Sequence, residues 1–353
     1  MSNKKIAILG DTHLGMRSGS NHFSQHANKF FSDVFYPYLL KNNITEIIQL
    51  GDLFDNRTSL SVKAWNACKD IWFGPLVEHG IHMTALLGNH DIYHKSTLDV
   101  NTPDLLLSDA YSNNISIITR PTVIERYSSS FALVPWICDG NKEEVFNFLN
   151  KDHIADVCCG HFEIVGFDMM RGVPGHGGLP RELFDRFEQT WSGHYHTKSY
   201  DEYHRIQYVG TPYEITFADM HDPKGFHVFD TETRTLEFIY NPNTMFDRII
   251  YNEGWHGDVS TLTGKAVKLV VEKKTDLYSF DRFVDSVKLA NVYDLKIIEN
   301  FGELANVDVD GNVHVEDSAS IINSYIDNLT TSVDKTRLKD YLAGLYNEAL
   351  AQQ

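Results

Sequence analysis

The chain has 353 residues, 42% of them apolar and 12% aromatic, enough for one large domain and one or two small ones. It contains no run of about 18 apolar residues and opens without the apolar stretch of a secretion signal, so the expectation is a non-secreted, cytoplasmic protein with no membrane contact. The net charge of −17, from 48 acidic and 31 basic residues, excludes a diffuse basic footprint for nucleic acid. Contact with a phosphodiester backbone must then come through local basic groups, bound cations or a partner.

Residues 5–9 have strand length and lead into Gly10-Asp11-Thr12-His13. Residues 23–40 carry apolar side chains at helical spacing, with Pro37 as a kink or an end. The β-branched run 44–50 leads into Gly51-Asp52-Leu53-Phe54-Asp55. A helix follows over 62–77, interrupted by Gly74-Pro75, and the apolar run 81–87 leads into Gly88-Asn89-His90-Asp91. Strands are expected at 115–118, 123–127 and 131–136, and a short helix at 143–149. Residues 155–159 lead into Gly160-His161, and 189–192 into Gly193-His194-Tyr195-His196. Cys158 and Cys159 are adjacent on one strand and therefore point to opposite faces. With Cys68 and Cys138 they form no CxxC spacing, so all four read as reduced core residues. Strands at 205–209, 225–230 and 236–240 complete the pattern. It predicts an α/β chain built as a two-sheet β-sandwich flanked by helices, not a simple parallel sheet.

The pattern changes near residue 257. A strand at 266–271, a helix at 281–289 and a strand at 292–298 make a small αβ unit. Residues 302–316 are acidic and aperiodic. After them, Ile321, Ile322, Tyr325, Ile326 and Leu329 recur at helical spacing, as do Leu338, Tyr341, Leu342, Leu345 and Tyr346. The expected division is a main domain at 1–255, a small αβ domain at 256–302, a linker at 303–317 and a helical segment at 318–353. Those last stripes pack on the main domain or dock on a partner.

Five strands thus deliver Asp, Asn or His just after a glycine, at the carboxyl lip where open α/β sheets bind ligands. Oxygen donors suit hard divalent cations, and imidazole suits manganese, iron and zinc. The mixed set without thiolate argues against structural zinc and for a catalytic metal pair. Two cations about 3.5–4 Å apart clamp the attacking and leaving oxygens of a phosphoryl displacement. Asp52, on the central tip, is the natural bridge. Any one of these pieces alone reads as a turn histidine or a helix N-cap; the ordered set carries the signal. His22, His26, His79, His82 and His94 show no partner pattern and read as solvated. The Trp and Tyr residues read as core and interface filler.

The five tips, in this order, resemble the motifs of the calcineurin-like metallophosphoesterases. His13-Leu14-Gly15, Leu53-Phe54 and the chain length resemble the SbcD-type DNA-repair nucleases. The short chain and its small later domain are most similar to the recombination nuclease subunits of T-even-type bacteriophages. The resemblance implies one metal held by Asp11, His13, Asp52 and His196, and a second held by Asp52, Asn89, His161 and His194. It gives His90 the role of general acid and Asp55 that of orienting the His90 imidazole. Asp91 is left as a structural residue. The family's protein phosphatases carry Gly-Asp-x-Val-Asp-Arg-Gly and Gly-Asn-His-Glu. Here Arg57 is not followed by glycine and Asp91 replaces the glutamate, which speaks against that activity. The implied reaction is two-metal exonuclease and endonuclease cleavage of DNA, with manganese preferred and magnesium possible. The implied partners are DNA, an SMC-like, SbcC-type ATPase and a second copy of the chain, in recombination and repair. Arg171 and Arg181, in a loop rich in glycine, are candidate DNA contacts. The alternatives are a small-molecule phosphodiesterase or phosphatase of the same fold, and a non-catalytic scaffold.

Overall fold

The computed structural model describes residues 4–151, 154–170, 172–175 and 177–299. The expected linker and helical segment after residue 302 lie outside them. In chain order the main strands are β1 (Lys5–Leu9), β2 (Glu46–Gln49), β3 (His82–Leu86), β4 (Ile115–Ile118), β5 (Thr122–Arg126), β6 (Ser129–Val134) and β7 (Val157–His161). A two-stranded ribbon of β8 (Asp168–Met170) and β9 (Val173–Pro174) follows. Then come β10 (Gln189–Gly193), β11 (Ser199–Asp201), β12 (Ile206–Tyr208), β13 (Gly225–Asp230) and β14 (Thr235–Tyr240).

Two six-stranded mixed sheets result, in the orders β14-β13-β1-β2-β3-β4 and β11-β12-β10-β7-β6-β5. Strands β1 to β4 run parallel, as do β6, β7, β10 and β12, while β5, β11, β13 and β14 pair antiparallel. Strand alternation explains the layers. Ile6 and Ile8 of β1 join Ile48, Leu86, Phe131, Val157, Cys159 and Trp191 in the core between the sheets. Ala7 and Leu9 face the other way, under Phe30, Phe31, Phe35, Trp72 and Phe73 of the flanking helices. On the second sheet, Cys158 packs outward with Val145 and Leu149 of helix Lys142–Leu149. Cys158 and Cys159 therefore do serve opposite faces, and all four cysteines are free and buried.

The two long helical stretches hold no break at their prolines. Asn21–Phe30 passes through a widened turn, Phe31–Phe35, into Tyr36–Lys41, and Val62–Cys68 passes through Lys69–Phe73 into Gly74–Glu78. Pro37 and Pro75 stand in the first turn after the widening, where a missing N–H is tolerated. His26 is buried in this layer, not solvated, and burial lowers its pKa to about 4.

The small domain is a parallel sheet of β15 (Phe246–Asn252), β16 (Ala266–Lys273) and β17 (Asp294–Glu299), covered by helix Leu277–Leu289. Asp276 caps that helix through the Tyr278 and Ser279 amides, and Phe280, Val284 and Val287 form its buried face. The sheet begins at Phe246, ahead of the boundary expected at 255. Asp247 and Arg248 stand side by side, and Ile249, Ile250 and Tyr251 are continuous, so β15 shows no alternation in sequence. Among the described residues, no helix is long and apolar enough to cross a membrane.

Candidate metal centre

The tips of β1, β2 and β3 in one sheet meet those of β7 and β10 in the other, at the edge where both sets of parallel strands end. The approach is close enough to forbid side chains. A Cβ at Gly193 would stand 2.6 Å from both Asp11 Oδ1 and the Leu50 carbonyl oxygen, and one at Gly88 would overlap the Asp52 carboxylate. Three of the chemistry-bearing residues adopt left-handed backbone: His13 (φ 43°), Asp52 (φ 51°) and His194 (φ 82°). Non-glycine residues hold that conformation only where their surroundings impose it. The imposing bonds are visible. The amides of Thr12 and His13 donate to the Asp52 carbonyl at 3.1 and 3.0 Å, and Leu14 donates to the Leu53 carbonyl at 2.9 Å. Gln49, fully buried, accepts from the Gly51 amide at 3.1 Å and donates to the Gly51 carbonyl at 2.6 Å. Asp91 accepts from the amides of Leu53, Phe54 and Gly88 at 3.2, 3.0 and 2.9 Å, stapling the second tip to the third.

The functional atoms converge into three overlapping groups: Asp11, His13 and His196; His13, Asp52 and His90; and Asp52, His161 and His194. Asp52 Oδ2 lies 3.8 Å from His13 Nε2 and 3.4 Å from His161 Nε2, so one oxygen faces both halves of the cluster. Its other oxygen accepts from the His90 amide at 2.8 Å. Asp11 Oδ2 stands 4.0 and 3.9 Å from Nε2 of His13 and His196, which are themselves 3.2 Å apart. Asn89 Oδ1 is 3.0 Å from His161 Nε2. The second nitrogens are directed. His161 Nδ1 donates to the Leu50 carbonyl at 2.7 Å, which leaves Nε2 as the ligand atom. His194 Nε2 pairs with Glu163 at 3.2 Å, which leaves its other nitrogen for the cluster.

These groups fit a pair of divalent cations. The donors are oxygen and imidazole nitrogen without thiolate, and several acid–imidazole approaches of 3.4–4.0 Å are too long for hydrogen bonds. His13 Nδ1 is buried without a hydrogen-bond partner. Asp11, His13, Asp52 and His196 would hold one cation, and Asp52, Asn89, His161 and His194 the other.

The electrostatics of the metal-free protein express the same crowding. Burial raises the Asp11 carboxyl to about 7 and lowers His13 to about 3 and His196 to about 4. At Asp52 burial is outweighed by the neighbouring imidazoles, His161 first, and the pKa falls below the usual range. At His161 burial is outweighed by the charges of Asp52 and Asp11, and the pKa rises to about 9. A protonated His161 therefore stands in for positive charge that the carboxylates require.

Of the residues singled out from sequence, Asp11, His13, Asp52, Asn89, His90, His161, His194 and His196 all meet here. Asp55 is close by, but its carboxylate does not orient His90. The His90 Nδ1–H donates instead to the Asp55 main-chain carbonyl at 2.6 Å, while the carboxylate lies 3.6 Å from His13 Nδ1. The reason is the turn: the Asp55 amide donates back to Leu14, which carries its carbonyl toward the third tip. Arg181 is engaged within the protein, with Asp201 at 2.7 Å and the carbonyls of Val165 and Gly166 at 2.8 Å each. Arg171 lies outside the described residues. Sequence reasoning missed Gln49, whose signal was one amide in an apolar strand. It also missed Glu163, and Lys224, which is buried with Asp219 and donates to the His196 carbonyl at 2.9 Å.

Residues 4–251 match the family profile described as calcineurin-like phosphoesterase. The chain is 31% identical over 348 residues to exonuclease subunit 1 of Enterobacteria phage T4, covering 98% of this chain and 99% of that protein. A solved archaeal phosphodiesterase shares 13% identity, over 67% of this chain and 99% of its own, with a TM-score of 0.35. By the family match and the phage relative together, the chain belongs to the calcineurin-like phosphoesterases and is a metal-dependent hydrolase of phosphodiester bonds.

Proposed function

We propose that the chain is a DNA nuclease, acting as exonuclease and endonuclease within an ATPase-driven recombination and repair complex. The observation that carries the chemistry is Asp52 Oδ2 placed between the two histidine groups, with His90 beside it. When bound, two divalent cations supply charge neutralisation on the phosphate and acidify water for attack. The protein's own groups do the rest. Hydrolysis joins a water oxygen to phosphorus, breaks one phosphorus–oxygen bond and needs a proton on the departing sugar oxygen. With Nδ1 held by the Asp55 carbonyl, the Nε2 of a protonated His90 donates that proton. Manganese is the preferred cation, because four imidazoles in the ligand set are softer than magnesium favours.

DNA as substrate is supported by the near full-length likeness to a phage exonuclease subunit. It is supported also by a row of cations on the small sheet, where Arg248, Lys268 and Lys296 are in register on adjacent strands. The word subunit in that relative's name, and the acidic net charge, support a partner that contributes DNA affinity. The partner we propose is an SMC-like ATPase, docked through residues 318–353, with a second copy of the chain in the complex. The first test measures cleavage of plasmid and linear DNA against a chromogenic phosphodiester, with manganese. Hydrolysis of the small ester alone would return the reading to a small-molecule phosphodiesterase. Asp52→Asn should lose both metals by elemental analysis, and Asp11→Ala mainly one. Deletion of 318–353 should keep the basal nuclease and abolish recovery of a large coiled-coil ATPase in a pull-down.

A further inference from the structure

On the side of His161 and His194, a cavity of about 370 Å³ opens beside the metal centre. Trp136, Lys142, Phe146, Glu163 and Pro180 line it together with His161. Trp136 is fixed to the centre: its amide donates to the Leu87 carbonyl at 2.7 Å, one residue before the third tip. Its ring centroid lies 5.0 Å from that of His194 and 5.8 Å from that of His161. The indole is half-buried, so part of it remains open. Lys142 and Phe146, one turn apart on helix Lys142–Leu149, line the same cavity.

The lining selects its occupant. Aromatic and apolar groups dominate, and the charged members of the lining among the described residues are Asp139, Glu163, Lys142 and the His161 shared with the metal cluster. A phosphate there would share the cavity with the two carboxylates of Asp139 and Glu163. A flat, uncharged heterocycle would meet an indole, as bases do in single-strand channels. The cavity also shares His161 with the metal cluster, so a group inside it is contiguous with a phosphodiester at the strand tips. We infer that the cavity holds the nucleobase of a nucleotide adjoining the scissile phosphate, stacked on Trp136. This rests on the reading of the chain as a DNA phosphodiesterase, and makes Trp136 a residue that reads the presence of a base, not its sequence.

The experiment uses the full-length, manganese-loaded protein and single-stranded oligonucleotides. One set is unmodified, and others carry an abasic tetrahydrofuran residue at the terminal or the penultimate position. The wild type should cleave one of the abasic substrates roughly 5- to 150-fold more slowly, the worth of one base–aromatic stack. Trp136→Ala should slow the unmodified substrate to that level and leave the abasic rate unchanged. Trp136→Phe should restore most of the difference. Metal affinity, followed by calorimetry, should be the same in all of them. Trp136→Leu, which keeps bulk without a π-face, takes the place of the alanine variant if that fails to fold. Equal slowing on both substrates, or weakened metal binding, would show that Trp136 only supports His194 and would overturn the proposal. Wild-type cleavage indifferent to the abasic residue would overturn it while leaving the nuclease reading intact. No DNA cleavage, with a methyl nitrophenyl phosphodiester still hydrolysed, would overturn both.

Discussion

His90 is held from two directions, by the Asp52 carboxylate at its amide and by the Asp55 carbonyl at Nδ1. Neither bond depends on the Asp55 side chain. His90→Ser should therefore keep both metals while slowing hydrolysis roughly 10²–10⁴-fold, and Asp55→Ala should leave the His90 step almost untouched. Metal analysis alongside turnover separates the two; a loss in Asp55→Ala as large as in His90→Ser would restore the carboxylate to that role. The residues that meet in the candidate centre were legible in sequence because oxygen and imidazole donors followed glycines at strand ends. The partner of His90 was not, because a main-chain carbonyl leaves no mark in a sequence. At this scale the pH behaviour also follows. In the metal-free protein burial at His161 is outweighed by the charges of Asp52 and Asp11, which push its pKa up to about 9 from an ordinary 6.5, so the folded state holds its proton more tightly than the unfolded chain. That contribution is complete below 6.5 and is lost as pH rises to 9. Asp11, raised to about 7, acts with the same sign between 3.8 and 7. His13 and His196, lowered to about 3 and about 4, act with the opposite sign, but only below 6.5. Thermal melts in chelator should thus show stability falling from pH 6.5 to 9, and His161→Gln should flatten the fall. Stability rising over that range would contradict the assignment.

The site's elements belong to two different sheets, and what joins them is a handful of buried bonds between tips. Asp91 is the clearest case. It accepts three main-chain amides from two tips and is fully buried. Removing it leaves those donors without partners, each worth about 1–3 kcal/mol. Asp91→Ala should lower stability by on the order of 3 kcal/mol and weaken both metals together, since it loosens the Asp52 and Asn89 tips at once. Denaturant titration with and without metal checks this, and a variant losing activity at wild-type stability would move Asp91 into the chemistry. The five tip-bearing strands were readable as apolar runs closed by glycine, and the sandwich followed from their number and from the further strands around them. Strand β15 was not, since charge lies beside charge and apolar beside apolar, and only its neighbour β16 decides which face each side chain takes. The prolines misled for a related reason. A widened turn is a property of the backbone around Pro37 and Pro75, and lets the helix continue where the residue alone signals an end.

At the scale of the molecule, the main electrostatic puzzle is the net charge of −17 on a chain proposed to act on DNA. A whole surface of that sign repels a phosphodiester backbone, so productive contact has to be local. The small sheet carries such a locality. Arg248, Lys268 and Lys296 lie directly across from one another on β15, β16 and β17. Like charges in that relation destabilise a sheet, and among the described residues none of the three forms an ion pair with an acid. Lys268 also stands over the Phe217 ring at 4.0 Å, and its pKa is lowered by partial burial and by its two cationic neighbours. A row kept despite its cost to the sheet reads as a track for phosphates. Replacing all three with glutamine should then weaken DNA binding for every sequence alike. The slope of log affinity against log salt should become shallower by about 0.9 for each phosphate contact removed. The sheet itself should gain stability, because the repulsion is gone. Metal content and hydrolysis of a small phosphodiester should not change, since no ligand lies beyond His196. A triple variant with wild-type affinity and salt slope would mean that the row serves some other anion, and that the acidic chain draws its DNA affinity from its partner alone.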